Sequence, residues 1–263
     1  MFVDFFGTLT KIIGYSTSPR INIKFLNMEE KLLSSHQCEK LLEKLQAYPY
    51  KQEYDAQKNT LSFYEENEKK LLIRFPVFWQ SANDKHLNQL EQTNYVLVMV
   101  RSGIASVGYF ENGENMDHKV FRAYMVRKKQ GKSQIKHLKT KGKSRAGSRV
   151  RLAETLEFFE AINERLQDYF DEFRVDKIGL SCATTLIPYL FGSKVETPFE
   201  KNDNRLFKIP KHIPNPTYEA LLDTNDFLLK AEVKYNEELK NFIEPLLVPE
   251  NIKPEGKENE EDW

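Results

Sequence analysis

Residues Tyr95–Arg101 read YVLVMVR. Every residue before the arginine is apolar and three are Val, a composition that forms a strand buried within a sheet. Ser102-Gly103 supplies a tight turn, and Ile104–Phe110 follows as the hairpin partner. Asn112-Gly113 is a second turn signal. Lys119–Arg127 then alternates apolar and basic residues, so that Val120, Tyr124 and Val126 share one strand face. Arg149–Phe173 carries the strongest helical pattern, with Leu152, Leu156, Phe159, Ile162, Leu166, Tyr169 and Phe173 along one face and Ser148 as N-cap. A strand over Ile178–Cys182, a short helix over Thr184–Phe191, a strand over Leu206–Ile209 and a helix over Thr217–Lys240 complete the series. This order predicts an α/β layer that begins with an antiparallel hairpin.

The flanking segments are simpler. Met28–Gln46 has Met28, Leu32, Leu41, Leu42 and Leu45 at helical spacing. Thr60–Tyr64 and Lys70–Phe75 read as short strands around the turn-like run Glu65–Lys69. Pro76, Ser81, Asn83 and Asp84 mark a boundary region near residue 90. From Pro245 the chain is rich in Pro, Glu and Asn, the composition of a disordered acidic tail. The expected organisation is a small α+β region over 1–90, a principal domain over 91–244 and a tail over 245–263.

Several function classes drop out on composition. The longest clean apolar run, Tyr95–Val100, is far short of the ~20 residues that a membrane helix needs. The start, MFVDFFGTLT, lacks the basic n-region of a secretory signal. Cys38 and Cys182 are lone thiols, which argues against a disulfide framework or zinc ribbon and for a reducing, cytoplasmic compartment. No two of His36, His86, His118, His137 and His212 stand at a metal-ligand spacing, so neither a metal nor a cofactor is expected.

Charge is the exception to this ordinary picture. The chain has 39 Lys+Arg and 39 Asp+Glu, yet His118–Ala153 holds no acidic residue. Its centre, RKKQGKSQIKHLKTKGKSRAGSRVR over Arg127–Arg151, joins the end of a strand to the start of a helix. Anions sit well at such a junction, because free backbone N–H groups and the helix dipole point outward. Two GKS triplets invite a phosphate-loop reading, but that motif needs a glycine five residues before its Gly-Lys pair. Val126 and His137 occupy those positions, so nucleotide hydrolysis is excluded. Cations without acidic balance, interspersed with Gly131, Gly142 and Gly147, fit RNA or another polyanion better than a solvated charge run, because each neutralised phosphate releases counterions.

The segment also resembles a known family. His118-Lys119-x-Phe121-x-x-Tyr124-x-Val126-Arg127 followed by Lys129-Gln130-Gly131-x-Ser133-Gln134 is similar to the core of the Vms-like release factors, which process peptidyl-tRNA in ribosome quality control. The likeness continues through Lys141-Gly142-Lys143 and Ala146-Gly147-Ser148 to Arg151. Asp203-x-Arg205, Ile209-Pro210 and Pro216-Thr217-x-Glu219 resemble a downstream segment of the same family, so that residues 90–230 are spanned. Lys132 stands where the family often has a second glycine, and Leu152 and Ala153 depart from its pattern at the helix start. Without the zinc finger, ankyrin repeats and segregase-binding segment of eukaryotic members, the chain looks like a compact bacterial-type member.

The resemblance implies an RNase H-like layer, as in the central domain of eukaryotic and archaeal class-one release factors. It implies a monomer that acts on the large ribosomal subunit with peptidyl-tRNA, touching rRNA and tRNA. Gly131, Ser133 and Gln134 map onto the family's catalytic G-x-x-Q element. RNA contacts are expected from Arg127, Lys128, Lys129, Lys132, Lys136, His137, Lys139, Lys141, Lys143, Arg145, Arg149 and Arg151. A Gln amide has no accessible pKa and cannot be a general base, but it can hold a water with one donor and one acceptor. His137 with Lys136 or Lys139 is the alternative centre, for cutting the tRNA 3′ end, and a non-catalytic ribosome- or RNA-binding factor is the third reading.

Overall fold

The computed structural model describes residues 28–83, 86–90, 92–123 and 143–247. The chain runs β1 (Glu29–Leu33), α1 (Ser35–Leu45), β2 (Lys51–Asp55), β3 (Thr60–Glu65), β4 (Glu68–Arg74), β5 (Trp79–Asn83) and β6 (His86–Gln89). It continues with β7 (Asn94–Arg101), β8 (Ile104–Glu111), β9 (Glu114–Arg122), α2 (Lys143–Glu172), β10 (Lys177–Cys182), α3 (Ile187–Phe191) and β11 (Leu206–Lys208). The last elements are α4 (Tyr218–Leu228), β12 (Ala231–Tyr235) and α5 (Lys240–Leu247).

The YVLVMVR run is the middle strand of a mixed sheet ordered β11-β10-β7-β8-β9. β7 pairs antiparallel with β8, and β8 with β9, while β10 runs parallel to both β7 and β11. This is the expected RNase H-like layer. β7 is buried on both sides, and the period of two sorts its side chains between two cores. Val96, Val98 and Val100 face α2 and α3, with Phe159, Ile162, Leu166 and Tyr169. Tyr95, Leu97 and Met99 face α4, with Leu221 and Leu228. The β8–β9 turn has Asn112 at φ 51° and Gly113 at φ 94°, the left-handed pair that a two-residue hairpin turn demands.

A second sheet, β1-β12-β4-β3-β2, is antiparallel throughout. One face packs on α1 and α5 through Leu33, Leu41, Leu71, Val233 and Ile243. Its β3–β4 turn places Glu66 and Asn67 at positive φ, in agreement with the turn expected there. β12 comes from the far end of the chain and lies between β1 and β4.

Four expectations need correction. The helix expected over Thr217–Lys240 ends at Leu228, and Ala231–Tyr235 is a strand, because Ala231, Val233 and Tyr235 alternate into the second core. The helix expected over Met28–Gln46 begins only at Ser35. Ser34 caps it, accepting from the Gln37 N–H at 3.3 Å while the Gln37 side chain accepts from the Ser34 N–H at 2.9 Å. Ser148 is not an N-cap, since α2 starts at Lys143 and continues through residues that mostly favour helix. Pro245 does not begin an unstructured tail: α5 runs through it to Leu247, and Ile243 and Leu246 are buried.

Candidate functional site

The basic segment starts where β9 ends. Both β7 and β9 oppose β8, so β9 runs parallel to β7, and its last residue lies at the carboxyl edge of β7, β10 and β11. In open α/β sheets ligands gather outside this edge, where successive connections diverge to opposite sides. Here β7 is followed on one side by β8 and β9 and flanked on the other by β10, so the divergence falls between the ends of β7 and β10.

The exit is held firmly. The Ala123 N–H donates to the Gly103 carbonyl at 3.0 Å, tying the end of β9 to the β7–β8 turn. Gly103 sits at φ +82°, and a Cβ there would lie 2.7 Å from the Ala123 oxygen. Only glycine fits this close approach without strain. Beside it, Arg101 ties β7 to β10: Nη1 donates to the Val100 carbonyl at 2.8 Å and the Ser181 carbonyl at 2.9 Å, and Nη2 donates to Ser181 Oγ at 3.0 Å. Burial pushes the neighbouring Cys182 thiol up to about 11, against the pull of Arg101.

The segment re-enters described structure as α2, a helix of 30 residues, about 45 Å long. The carboxyl end of α2 leads into the start of β10, so the helix runs against β7 and its N-terminus lies toward the carboxyl edge of the sheet. Its buried stripe includes Phe158, Phe159, Ile162, Leu166 and Tyr169, with Phe173 stacked 4.3 Å from Tyr109. Leu156, expected on that stripe, is 38% exposed. Lower down, Arg165 pairs with Asp117 of β9, and Asn163 Nδ2 donates to the Leu190 and Val195 carbonyls at 2.8 and 2.7 Å. The first contact ties the helix to β9, and the other two tie it to α3 and the segment that follows.

Of the expected site residues, Lys143, Arg145, Arg149 and Arg151 fall on the first turns of α2. Arg127, Lys128, Lys129, Gly131, Lys132, Ser133, Gln134, Lys136, His137, Lys139 and Lys141 lie outside the described residues, between β9 and α2.

The structure brings the two motif segments together. His118 of β9 stacks on Tyr218 at the start of α4, with ring centroids 3.6 Å apart and planes 14° from parallel. Thr217 caps α4, accepting from the Ala220 N–H at 3.2 Å. Backbone hydrogen bonding at the helix start holds the Glu219 carboxyl below its usual range, helped by Thr217 and by Arg122. Asp203 and Arg205 form a local fork, with Nη2–Oδ2 at 2.8 Å and Nε–Oδ1 at 3.1 Å, while Arg205 Nη1 donates to the Val175 carbonyl. Ile209 is buried, and its N–H donates to the Leu180 carbonyl at 3.1 Å. Much of the downstream motif is therefore scaffolding that aims β10, β11 and α4. Among the described residues, no cluster of His, Cys, Asp and Glu could hold a metal ion, and no helix is long and apolar enough to cross a membrane.

The family model of the Bacteroidetes VLRF1 release factors matches residues 95–236, more than half of the chain, and this protein belongs to that family. The resemblance carried by the motifs of β9, the basic segment and α4 is borne out, and a release-factor-type role follows. A solved structure titled "Vms1 mitochondrial localization core" is 12% identical, covering 79% of this chain and 89% of that one with a TM-score of 0.35. No curated protein matches the sequence.

Arg101 and Ser181 escaped the sequence reading. The available signal was the lone arginine that ends an otherwise apolar strand.

Proposed function

We propose that this protein frees nascent chains from peptidyl-tRNA on stalled large ribosomal subunits, as a cytoplasmic monomer that touches rRNA and tRNA. One observation carries the reading: the G-x-x-Q element lies in the basic connection between β9, which ends at the carboxyl edge of the sheet, and the start of α2, inside the span of a release-factor family match. Gln134 orients a water toward the ester carbonyl between nascent chain and tRNA. The water oxygen forms the new bond to carbon, the ribose 3′-oxygen leaves, and a proton passes to it. Gly131 lets the backbone approach closely, Ser133 lies beside the glutamine, and ribosome and tRNA supply the other catalytic groups. Arg127, Lys128, Lys129, Lys132, Lys136, His137, Lys139, Lys141, Lys143, Arg145, Arg149 and Arg151 neutralise phosphates along the path.

His137 favours a second reading, because it follows Gln134 by three residues and is flanked by Lys136 and Lys139. A histidine can take the proton of a ribose 2′-OH as its oxygen attacks phosphorus, a lysine can stabilise the phosphorane, and the P–O5′ bond breaks as a proton passes to the leaving 5′-oxygen, which would cut the tRNA 3′ end. Purified large subunits carrying peptidyl-tRNA separate the readings when both products are sized. An intact CCA end with free peptide supports ester hydrolysis, whereas a shortened tRNA with nucleotides left on the peptide supports cleavage. Salt-sensitive binding with neither product marks a non-catalytic ribosome-binding factor.

A further inference from the structure

Arg101 stands out among the arginines whose side chains are described. Arg74, Arg165, Arg174 and Arg205 each pair with a carboxylate: Glu232, Asp117, Asp176 and Asp203. Among the described residues Arg101 has no carboxylate within ion-pair distance, and Arg122 has only the longer-range attraction of Glu219 at the start of α4. Both occupy one row at the carboxyl edge, since Ile104 is the register partner of Arg101 on one side and of Arg122 on the other. Directly opposed residues share a sheet face, so the two arginines emerge on the same side, about 10 Å apart across two strand spacings.

The hydrogen bonds of Arg101 define what is left over. A guanidinium has five N–H groups in a plane. Nη1 spends two on the Val100 and Ser181 carbonyls, and Nη2 spends one on Ser181 Oγ. The end-on fork therefore grips Ser181, and the side-on fork, Nε–H with the second Nη2–H, points away from it. Among the described residues no acceptor takes these two donors. A parallel pair of N–H groups on a fixed, half-buried cation matches two oxygens of a phosphate. β7 and β10 are already joined by their own ladder, so a strand tie alone needs no charge here.

We propose that Arg101, oriented by Ser181 and seconded by Arg122, is a phosphate clamp at the root of the basic connection, taking a phosphodiester of the RNA on which the protein acts. The inference rests on the RNA-directed reading above and assigns it a contact on the sheet edge, separate from the lysines of the connection and the basic start of α2. Ser181 is a positioning residue and Arg101 a binding one.

The test uses the full chain and a CCA-ended acceptor-stem RNA minihelix, with affinity followed against KCl concentration. Arg101→Gln is expected to reduce the slope of log K against log salt by about one unit, the signature of one lost phosphate contact. Arg101→Lys keeps the charge and most of the slope but loses the fork, and binding weakens about tenfold. Ser181→Ala lowers affinity by a smaller factor at unchanged slope. Thermal melts accompany each variant, and Arg101→Lys with Ser181→Ala carry the test should Arg101→Gln fail to fold. If the variants melt lower while affinity and slope match the wild type, Arg101 is only a strand tie and the clamp is wrong. Release from large subunits is scored separately: loss of the slope with no release in the wild type keeps the clamp and removes the release reading, whereas release with an unchanged slope does the reverse.

Discussion

The two sheets of this protein solve burial differently. The mixed sheet is covered on both faces, so its central strand β7 is apolar at every position from Tyr95 to Val100. The antiparallel sheet packs one face on α1 and α5, and its edge strand β1 leaves Leu32 44% exposed. Unpartnered polar groups are costly in a doubly covered strand, and Ser106 of β8, buried with no partner for its hydroxyl among the described residues, is the exception within the frame that the mixed sheet forms. The carboxyl edge of that frame is where the basic connection begins, and the family match over residues 95–236 covers the mixed sheet together with β12. The antiparallel sheet braces the frame instead, and does so through a few polar contacts.

The largest expected effect breaks the frame itself. Leu166→Ala removes a fully buried side chain between α2 and β7 and should cost about 2–5 kcal/mol in urea denaturation. Leu32→Ala on the exposed strand should change stability by less than about 0.5 kcal/mol. Similar losses from the two substitutions would mean that the sheets are not distinguished by burial in this way.

The next effect is at the brace. Arg74 of β4 donates through Nη2 to the Phe227 and Lys230 carbonyls, both at 3.1 Å, through Nη1 to Phe75, and through Nε to Glu232 at 3.4 Å. It therefore joins the antiparallel sheet to the end of α4. Burial holds the Glu232 carboxyl above its usual range, with Glu30 adding to the effect. Arg74→Met would leave Glu232 with Lys234 alone, 3.5 Å away, and several carbonyls without donors, at a cost of about 1–3 kcal/mol. A second, earlier transition in the melt would show that the two sheets had come apart.

A smaller effect depends on pH. Lys177 starts β10, and its Nζ donates to the Val77 carbonyl in the segment between the sheets. Burial lowers its pKa from 10.5 to about 8, partly offset by Asp176. Below about pH 8 both folded and unfolded states hold the proton, and the folded state bears the full desolvation cost. Between 8 and 10.5 the folded state has released the proton while the unfolded chain keeps it, so stability rises with pH through this window. Lys177→Met should be flatter than wild type in melting temperature between pH 8 and 10. Parallel profiles would remove Lys177 as the cause. Gly103→Ala should cost about 1–3 kcal/mol in urea denaturation through strain at positive φ, felt locally at the exit of the connection.

How much of this could be read from residues alone also divides between the sheets. β7, β8, the Asn112-Gly113 turn and the packed part of α2 were plain, because double burial and a long amphipathic stripe leave strong periodic signals. β12 was hidden, since AEVKY follows directly on a helical pattern and its pairing partners lie more than a hundred residues away. β1 was lost inside an apparent helix because Leu32 mimics the spacing while pointing to solvent. For the proposed site, the G-x-x-Q element came from the family resemblance and its cations from the charge pattern. Arg101 did not, because its meaning depends on Ser181, a neighbour only in the folded sheet.

The central claim is that a neutral glutamine on a basic connection performs release. The most direct measurement compares Gln134→Ala with the wild type on purified large subunits carrying peptidyl-tRNA, scoring subunit binding and peptide release in the same reaction. Binding should persist at the wild-type salt dependence while release falls by at least about a hundredfold, the scale of losing a group that positions a reactant. Peptide release as fast as the wild type would contradict the account.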